Sequence, residues 1–430
     1  MTNHINKHHP TPLTSLTLLV TFLGVFPLDV ILPSFPALAV EFNTSTQSIA
    51  YSVTLFILAV SASQIIIGPL SDALGRKRLL VIGLLASASG AAGCLLSDSF
   101  EVFLLFRLLQ ALGCGCFVLT HALVQDLYGG QDRNNMRILL TSASGLFISL
   151  SPFVGSMLQV HFDWQGSFWV YAALAACSAI MAFTVLQEQP APAKVEGIIA
   201  SYRALTKDGL FLILTLFSCL AFACHFSFII NAPLILMDHM DFSVTGFGVV
   251  FTAYGSAYVL GGVVARWLSR HARAGSQIGI GFMLVGCSGI TSFIWGLAAQ
   301  ASVTSVLLPV IICATGITII RPAATSLALA RHPERAGAAA SLSSTLVFGT
   351  GALFGAVLAT TGVQVMASLA TTFFITGVIG LVLLVQLPDL DSQEAISPAT
   401  PLTPPRPVCE SHHAANTPDH NQSDARADRY

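Results

Sequence analysis

The chain has 430 residues, 54% of them hydrophobic and only 9% Asp, Glu, Lys or Arg, with a net charge of −2. A soluble domain carries about 25% charged residues, so this chain lacks the polar groups to cover a water-facing surface, and a soluble fold is excluded. Net charge alone says nothing about partners. No Walker loop, HExxH or GxSxG is present, so no catalytic constellation marks an enzyme and none marks an ATPase.

Twelve apolar windows follow one another, roughly 13–34, 46–70, 79–97, 101–124, 136–158, 166–187, 209–232, 244–268, 276–299, 303–329, 335–360 and 363–387. Each is near the length of about 20 residues that a transmembrane helix needs. The runs are continuous and lack the period-two alternation of barrel strands. The expected fold is an all-α membrane protein of twelve transmembrane helices. Seventeen of the nineteen Lys and Arg fall in the two termini and in the loops near 76–78, 133–137, 194–207, 266–273 and 331–335. The intervening loops contain none. Cationic loops stay on the cytoplasmic side, so both termini are expected there, in a multi-pass protein of the inner (plasma) membrane. Ala37-x-Ala39 resembles a signal-peptide cleavage site, but the run before it is long, contains Asp29, and its removal would spoil the even count.

Residues 1–12 form a cytoplasmic segment and 13–187 a first six-helix bundle. The connection 188–208, with two prolines and mixed charge, is the cytoplasmic linker to a second bundle, 209–387. The halves echo one another: SASGLFISLSPFVGSML from 142 and SLSSTLVFGTGALFGAVL from 341 place Gly155 and Gly355 about 200 positions apart. Parallel halves put a substrate cavity between them near the midplane. Residues 388–430, rich in Pro, Ser, Thr, Asp and His, read as a disordered cytoplasmic tail. Eight of the nine cysteines lie in the windows as small packing residues, and Cys409 lies in the tail. Cys114-x-Cys116 has neither a second pair nor a nearby His, so no metal site is expected. The histidines of the two termini read as solvated rather than metal-binding.

Ionisable groups within a membrane are costly and default to functional candidates. Asp29 is the only acid deep in any window, in LDVILP near the outer end of the first. Arg107 follows the outer start of the fourth. At a rise of 1.5 Å per residue both lie about 8–9 Å from their outer boundary, so they are placed to pair, either as a working couple or as a structural tie. Gln110, one turn from Arg107, can share its hydrogen bonds. Arg321, before Pro322 and about 12 Å from the inner end of window ten, either favours an anionic or carboxylate-bearing substrate or snorkels inward and does nothing specific. His225 is either a proton relay or a hydrogen-bonded packing residue. Tyr51, Tyr254 and Tyr258 present amphipathic faces to substrate, lipid or neighbours. Gly351-x-x-x-Gly355 and Gly145-x-x-x-Ser149 permit close helix approach.

The dense charge knot GPLSDALGRKR, residues 68–78, resembles the loop between helices two and three of the major facilitator superfamily, roughly G-x-x-x-D-(R/K)-x-G-R-(R/K). Gly68, Asp72, Gly75, Arg76 and Lys77 match, and Ala73 departs. RLLQALGCG is similar to the R-x-x-Q-G-x-G of helix four, with Ala111 for the first Gly. SPFVGS, with Pro152 and Gly155, resembles the antiporter G-P-x-x-G-G. DWQGSFWV is similar to G-W-R-x-x-F before helix six, with Gln165 for Arg. NAPLILM, RPAATSLALA and ERAGAAASL resemble the bicyclomycin/chloramphenicol-resistance (Bcr/CflA) branch of drug–proton antiporters.

The resemblance implies that Asp72 caps a helix of the other half, here the one beginning near Ala336, while Arg76 pairs with Asp126. These contacts form a gate; the alternative is that the charges only set orientation. It also implies that Pro152 and Gly155 form a kink that keeps the cavity sealed. Asp29 then takes a proton when the cavity faces out, helped by burial. It releases the proton when the cavity faces in and binds a cationic group or Arg107. Thr21 stands where relatives often carry a second acid. The expected function is proton-coupled export of small amphipathic compounds by alternating access. It is driven by the proton gradient without a cofactor, in a monomer within the lipid bilayer, with no nucleic acid partner. Two alternatives remain: a specific exporter or importer of a siderophore, nucleoside or sugar, favoured by Arg321, and a membrane sensor that has lost transport.

Overall fold

The computed structural model describes residues 11–128, 130–188, 198–298, 302–332, 335–359 and 365–387. The tail from 388, with Cys409, and the histidines near the N-terminus lie outside these residues. The described residues form one compact unit.

The chain folds into helices. The first crossing is α1 (Thr11–Asp29), a tight turn at Leu32–Ser34, and α2 (Phe35–Glu41). Then come α3 (Thr46–Leu74), α4 (Arg76–Leu95) and a fourth crossing made of α5 (Phe100–Cys114), a tight turn at Gly115–Val118, and α6 (Leu119–Leu127). α7 (Gly130–Phe162) and α8 (Gln165–Val185) complete the first half. α9 (Ile198–Leu205) is a short helix within the linker. The second half holds α10 (Gly209–Pro233), which runs on through a wider π-helical turn at Leu234–His239, and then α11 (Val244–Leu268), α12 (Ala274–Ala298), α13 (Val303–Ala330), α14 (Ala336–Ala359) and α15 (Val365–Gln386).

Several starts follow directly from local sequence. Ser45, Ser99, Ser243, Ser302 and Asp208 each accept a backbone N–H of the first turn of the helix they precede, which satisfies a donor the helix leaves open. Eleven helical segments among the described residues are long and apolar enough to cross a membrane. The fifth expected window, 136–158, lies in α7, a helix of 33 residues whose apolar stretch, Leu146–Phe162, is shorter.

The two halves use one packing scheme. In each, the first crossing packs on the fifth and sixth, the second on the fourth, and the third on the fourth and sixth. These are α1 on α7 and α8, α3 on α5, and α4 on α5 and α8. Their counterparts are α10 on α14 and α15, α11 on α13, and α12 on α13 and α15. The halves meet along two symmetric seams, α3 with α14 and α7 with α11.

The seams are lined by small polar residues. The Ser61 hydroxyl donates to the Thr345 carbonyl at 2.8 Å and the Thr345 hydroxyl donates back to the Ser61 carbonyl at 3.2 Å. Ser341 donates to the Gln64 carbonyl at 3.4 Å. Gly68 faces Ser341 so closely that a Cβ there would lie 2.4 Å from its hydroxyl. On the other seam, Gly248 faces Ser156 in the same way, at 2.7 Å. α9 rests against α14, and the Tyr202 hydroxyl donates to the Ile65 carbonyl of α3 at 3.1 Å, so this linker helix touches both sides of the first seam.

Within the first half, α4 and α5 cross at near backbone contact. A Cβ on Gly113 would lie 2.4 Å from the Gly83 carbonyl, and one on Gly90 2.3 Å from the Gln110 nitrogen. Backbone cannot move aside as a flexible side chain can. Gly113→Ala should therefore lower stability by about 1–3 kcal/mol, as overpacking does, seen as a reduced thermal midpoint of the purified protein. Gly262→Ala, with nothing within 4 Å of its new methyl group, should leave the midpoint unchanged.

Candidate functional site

The site begins where the first crossing breaks. Pro27 lies inside α1 and has no N–H to give to the carbonyl four residues back. The freed Leu23 carbonyl accepts the Cys114 thiol at 3.5 Å. The helix ends at Asp29, and Pro33 sits in the turn that follows. The carbonyls opened by this ending also find donors: Arg107 donates to the Pro27 carbonyl and Ser167 to the Val30 carbonyl, each at 3.5 Å. Gly155 of α7 makes room for the broken strand of chain, since a Cβ there would sit 2.2 Å from the Val30 oxygen. Pro152, one turn earlier, accepts the Ser156 hydroxyl at its carbonyl, 3.0 Å away. This is local crowding against the first crossing, in a helix that also forms a seam.

Arg107 and Asp29 do not form the pair that equal depth suggested. Arg107 is 2% exposed and lies within the first half, giving one N–H to Gln110 Oε1 at 2.8 Å. Its guanidinium lies over the Phe56 ring at 4.2 Å and near that of Phe168 at 5.7 Å. Depth along two helices sets height but not the direction a side chain takes around each helix. Beside it, Ser87 links the Gln110 carbonyl and the Tyr171 hydroxyl at 2.9 and 2.5 Å. The residual space between Pro27, Arg107, Gln110 and Tyr171 is about 10 Å³, far below what a drug-sized ligand occupies.

Asp29 instead points toward the second half. It is 5% exposed, has no hydrogen bond or ion pair among the described residues, and lies within electrostatic reach of Tyr254 and Tyr258. Those tyrosines stand one turn apart on α11 around His225 of α10. The His225 Nδ1 and the Tyr254 hydroxyl share a hydrogen bond of 2.7 Å, and the Tyr258 ring lies 5.1 Å from the imidazole. His225 is thus a hydrogen-bonded, buried residue. Arg321 of α13 faces the same cluster, with its guanidinium 5.1 Å from the Phe222 ring.

Sequence reasoning missed the aromatic wall around this cluster. Phe222 meets Phe348 of α14 edge-on at 5.0 Å, and Phe348 meets Phe117 of the first half at 6.0 Å. Single phenylalanines in apolar helices give no signal of such a wall. Tyr51 is not part of it: it lines a groove of about 360 Å³ between α3 and α5, with Leu55, Phe100 and Leu104, and its hydroxyl meets the Gln47 amide at 3.4 Å.

The charge knot has its own geometry. Gly75, at φ 89°, joins α3 to α4, a conformation that suits Gly alone. It leaves three cations in the first turn of α4, at the positive end of the helix dipole. Each finds compensation elsewhere: Arg76 pairs with Asp126 and gives a hydrogen bond to Ser71, Lys77 lies over the Phe183 ring at 4.9 Å, and Arg78 binds Glu188 in bidentate fashion at 3.0 and 3.1 Å. The Asp72 side chain and that of Ala336, where capping was expected, lie outside the described residues.

A second charged cluster at the same end of the molecule was not foreseen. Asp208 caps α10 and holds Arg331 at 2.7 and 3.1 Å and His332 at 2.9 Å, beyond the end of α13. An Asp before an apolar run is a common cap, but its partners over a hundred residues away leave no local signal.

The family model described as Major Facilitator Superfamily matches residues 17–356. A chloramphenicol resistance protein of Pseudomonas aeruginosa is 29% identical over 272 residues, 61% of this chain and 64% of that protein. The multidrug resistance protein MdtL of Escherichia fergusonii is 24% identical over 217 residues, 50% of this chain and 56% of that protein. The chain thus matches less than two thirds of the length of either relative. Among solved structures, the human organic anion transporter MFSD10 (TETRAN) superposes with a TM-score of 0.69 at 17% identity, covering 88% of this chain and 99% of that one. A D-xylose-proton symporter superposes with a TM-score of 0.68 at 15% identity, covering 87% and 96%. At these identities the structures speak for the fold alone.

Burial works to raise the Asp208 carboxyl, but hydrogen bonds from Arg331, the Phe211 backbone and His332 outweigh it and hold the group below its ordinary 3.8. A lowered carboxyl contributes stability that is complete above the ordinary value and lost as pH falls through the lowered one. The thermal midpoint of Asp208→Asn should therefore lie below that of the parent at neutral pH. The gap should close on acidification from about pH 6 to about pH 3, as followed by thermal unfolding across that range.

Proposed function

The chain belongs to the Major Facilitator Superfamily, and from that membership we propose that it is a proton-coupled secondary transporter that exports small amphipathic compounds by alternating access. The relatives named for chloramphenicol and multidrug resistance support export of such compounds. In this reading the protein sits in the inner membrane with both termini in the cytoplasm, acts as a monomer, and runs on the proton gradient without a cofactor.

The observation that carries the reading is the Asp29 carboxyl, buried at the meeting of the halves with no hydrogen bond or ion pair among the described residues. An intramembrane acid without a partner is expensive, and one that holds a proton in one conformation and a cationic group in the other has a use that offsets the cost. Proton and substrate compete for one carboxylate, and competition at one site across two conformations gives exchange. The halves rock about the seams α3–α14 and α7–α11, where Gly68 meets Ser341, Ser61 meets Thr345 and Gly248 meets Ser156, small residues that slide more easily than interlocked large side chains. Arg76 and Asp126 act as a tie within the first half that shapes the loop meeting the second. Arg107 and Gln110 hold the broken first crossing in place and so position Asp29.

Two outcomes test this. In inverted vesicles carrying the wild-type chain, addition of a cationic amphipathic drug should release protons from an energised interior, read by dequenching of a pH dye. Asp29→Asn should abolish that signal and still bind the drug weakly; intact proton release by the variant would refute the coupling role. The Arg76–Asp126 pair is about three-quarters buried at both side chains, and such a pair contributes up to about 1 kcal/mol, a roughly fivefold change in a conformational balance. Arg76→Asp should slow export by about that factor, and the charge-exchanged double variant with Asp126→Arg should regain most of the rate in the same vesicles.

A further inference from the structure

Two opposite charges face the seam without each other. Asp29 stands on the first half and Arg321 on the second, and neither has an ion-pair partner among the described residues. Both act on one group, the Tyr258 hydroxyl, which is buried and makes no hydrogen bond of ordinary geometry. A buried hydroxyl without a well-formed hydrogen bond is costly, and a ligand group that completes it gains accordingly. The wall beside these groups is aromatic: Arg321 lies over Phe222, and Phe222 packs on Phe348 and, stacked at 5.9 Å, on Phe226. The cluster thus offers a carboxylate, a guanidinium fork, a hydroxyl beside that fork and an apolar face.

We propose, resting on the transporter reading above, that the cargo is an amphipathic zwitterion. Its cationic N–H group meets Asp29, its carboxylate takes the fork of Arg321 with the Tyr258 hydroxyl donating to it, and its aromatic body lies on Phe222 and Phe348. The planar guanidinium matches a carboxylate through two parallel hydrogen bonds. A simple cation satisfies Asp29 but adds a positive charge near an unpaired Arg321. A simple anion does the converse. The site selects by leaving a charge unanswered when the wrong compound binds, and such penalties discriminate more strongly than lost apolar contact. Because the two charges belong to different halves, the zwitterion bridges the seam, which ties occupancy to the approach of the halves.

Three xanthene dyes of one skeleton test this: a rhodamine with a free benzoate, its methyl ester, and fluorescein, which carry zwitterionic, cationic and anionic character respectively. Binding to the purified full chain is read by fluorescence polarisation. The zwitterion should bind at least tenfold more tightly than the ester. Arg321→Gln should weaken the zwitterion to the level of the ester and leave the ester at or above its wild-type affinity, which also shows that the variant is folded. Arg321→Lys, which keeps the charge and loses the fork, should fall between. Asp29→Asn should weaken zwitterion and ester and spare fluorescein. Equal affinity for the three dyes, no binding of any, or an equal fall for zwitterion and ester in both Arg321 variants overturns the assignment. Export of the ester against protons without preference for the zwitterion would sink this inference and leave antiport standing. Arg321-dependent binding of the zwitterion with no proton movement would do the reverse.

Discussion

A helix within a bilayer has no water to receive its backbone, so each carbonyl or N–H released by a proline or a break must find a partner inside the protein. The first crossing of this chain is broken between Pro27 and Pro33, and the surrounding helices are arranged to answer it. Cys114 gives its thiol proton to Leu23, Arg107 reaches Pro27, Ser167 reaches Val30, and Gly155 lets a neighbouring backbone pass beside the Val30 oxygen. Without these answers the break would be too costly to keep, and without the break Asp29 would sit within a continuous helix rather than at its end. The position of the acid thus depends on residues from three other crossings.

The same economy explains where polar side chains lie. Within each half the contacts are largely apolar and close, with glycines bringing α4 against α5. Between halves several are small and hydroxylated, as in the reciprocal bonds of Ser61 and Thr345, beside the aromatic contact of Phe117 with Phe348. Hydroxyls that bond across a seam or back to their own helix can exchange partners without being left unpaired, which a sliding interface requires. Charges lie at the ends of helices, apart from Arg107, buried within the first half on Gln110 and Phe56, and the cluster of Asp29 and Arg321. At the ends several are paired, Arg76 with Asp126, Arg78 with Glu188 and Arg331 with Asp208. Asp29 and Arg321 have no ion pair among the described residues, and unlike Arg107, whose guanidinium donates to Gln110 and the Pro27 carbonyl, they face the meeting of the halves.

Much of this was legible in the chain itself. Hydropathy gave the helices because a bilayer imposes a length and an apolar character that composition records directly. The fifth crossing was the weakest case, since the polar beginning of α7 shortens its apolar stretch. The repeat of packing between halves was foreshadowed by the echo of residues 142–158 in 341–358. The importance of Asp29, Arg107 and Arg321 was visible because a charge in an apolar run is conspicuous. Their partners were not. Asp29 and Arg107 share a depth and still part company, one turned to Tyr254 and Tyr258 and the other to Gln110 and Phe56. Tyr51 read much like Tyr254 but lies on a groove within the first half.

The amino-acid order by itself determined the class of solvent, the number and succession of crossings and the identity of the costly residues, because each of these is set by local composition against a slab of fixed thickness. Only tertiary structure decided which way each costly side chain turns and whom it meets. That depends on the rotation of each helix about its own axis, and rotation is settled by the close contacts at Gly113, Gly155 and Gly248 rather than by the residue whose direction it sets.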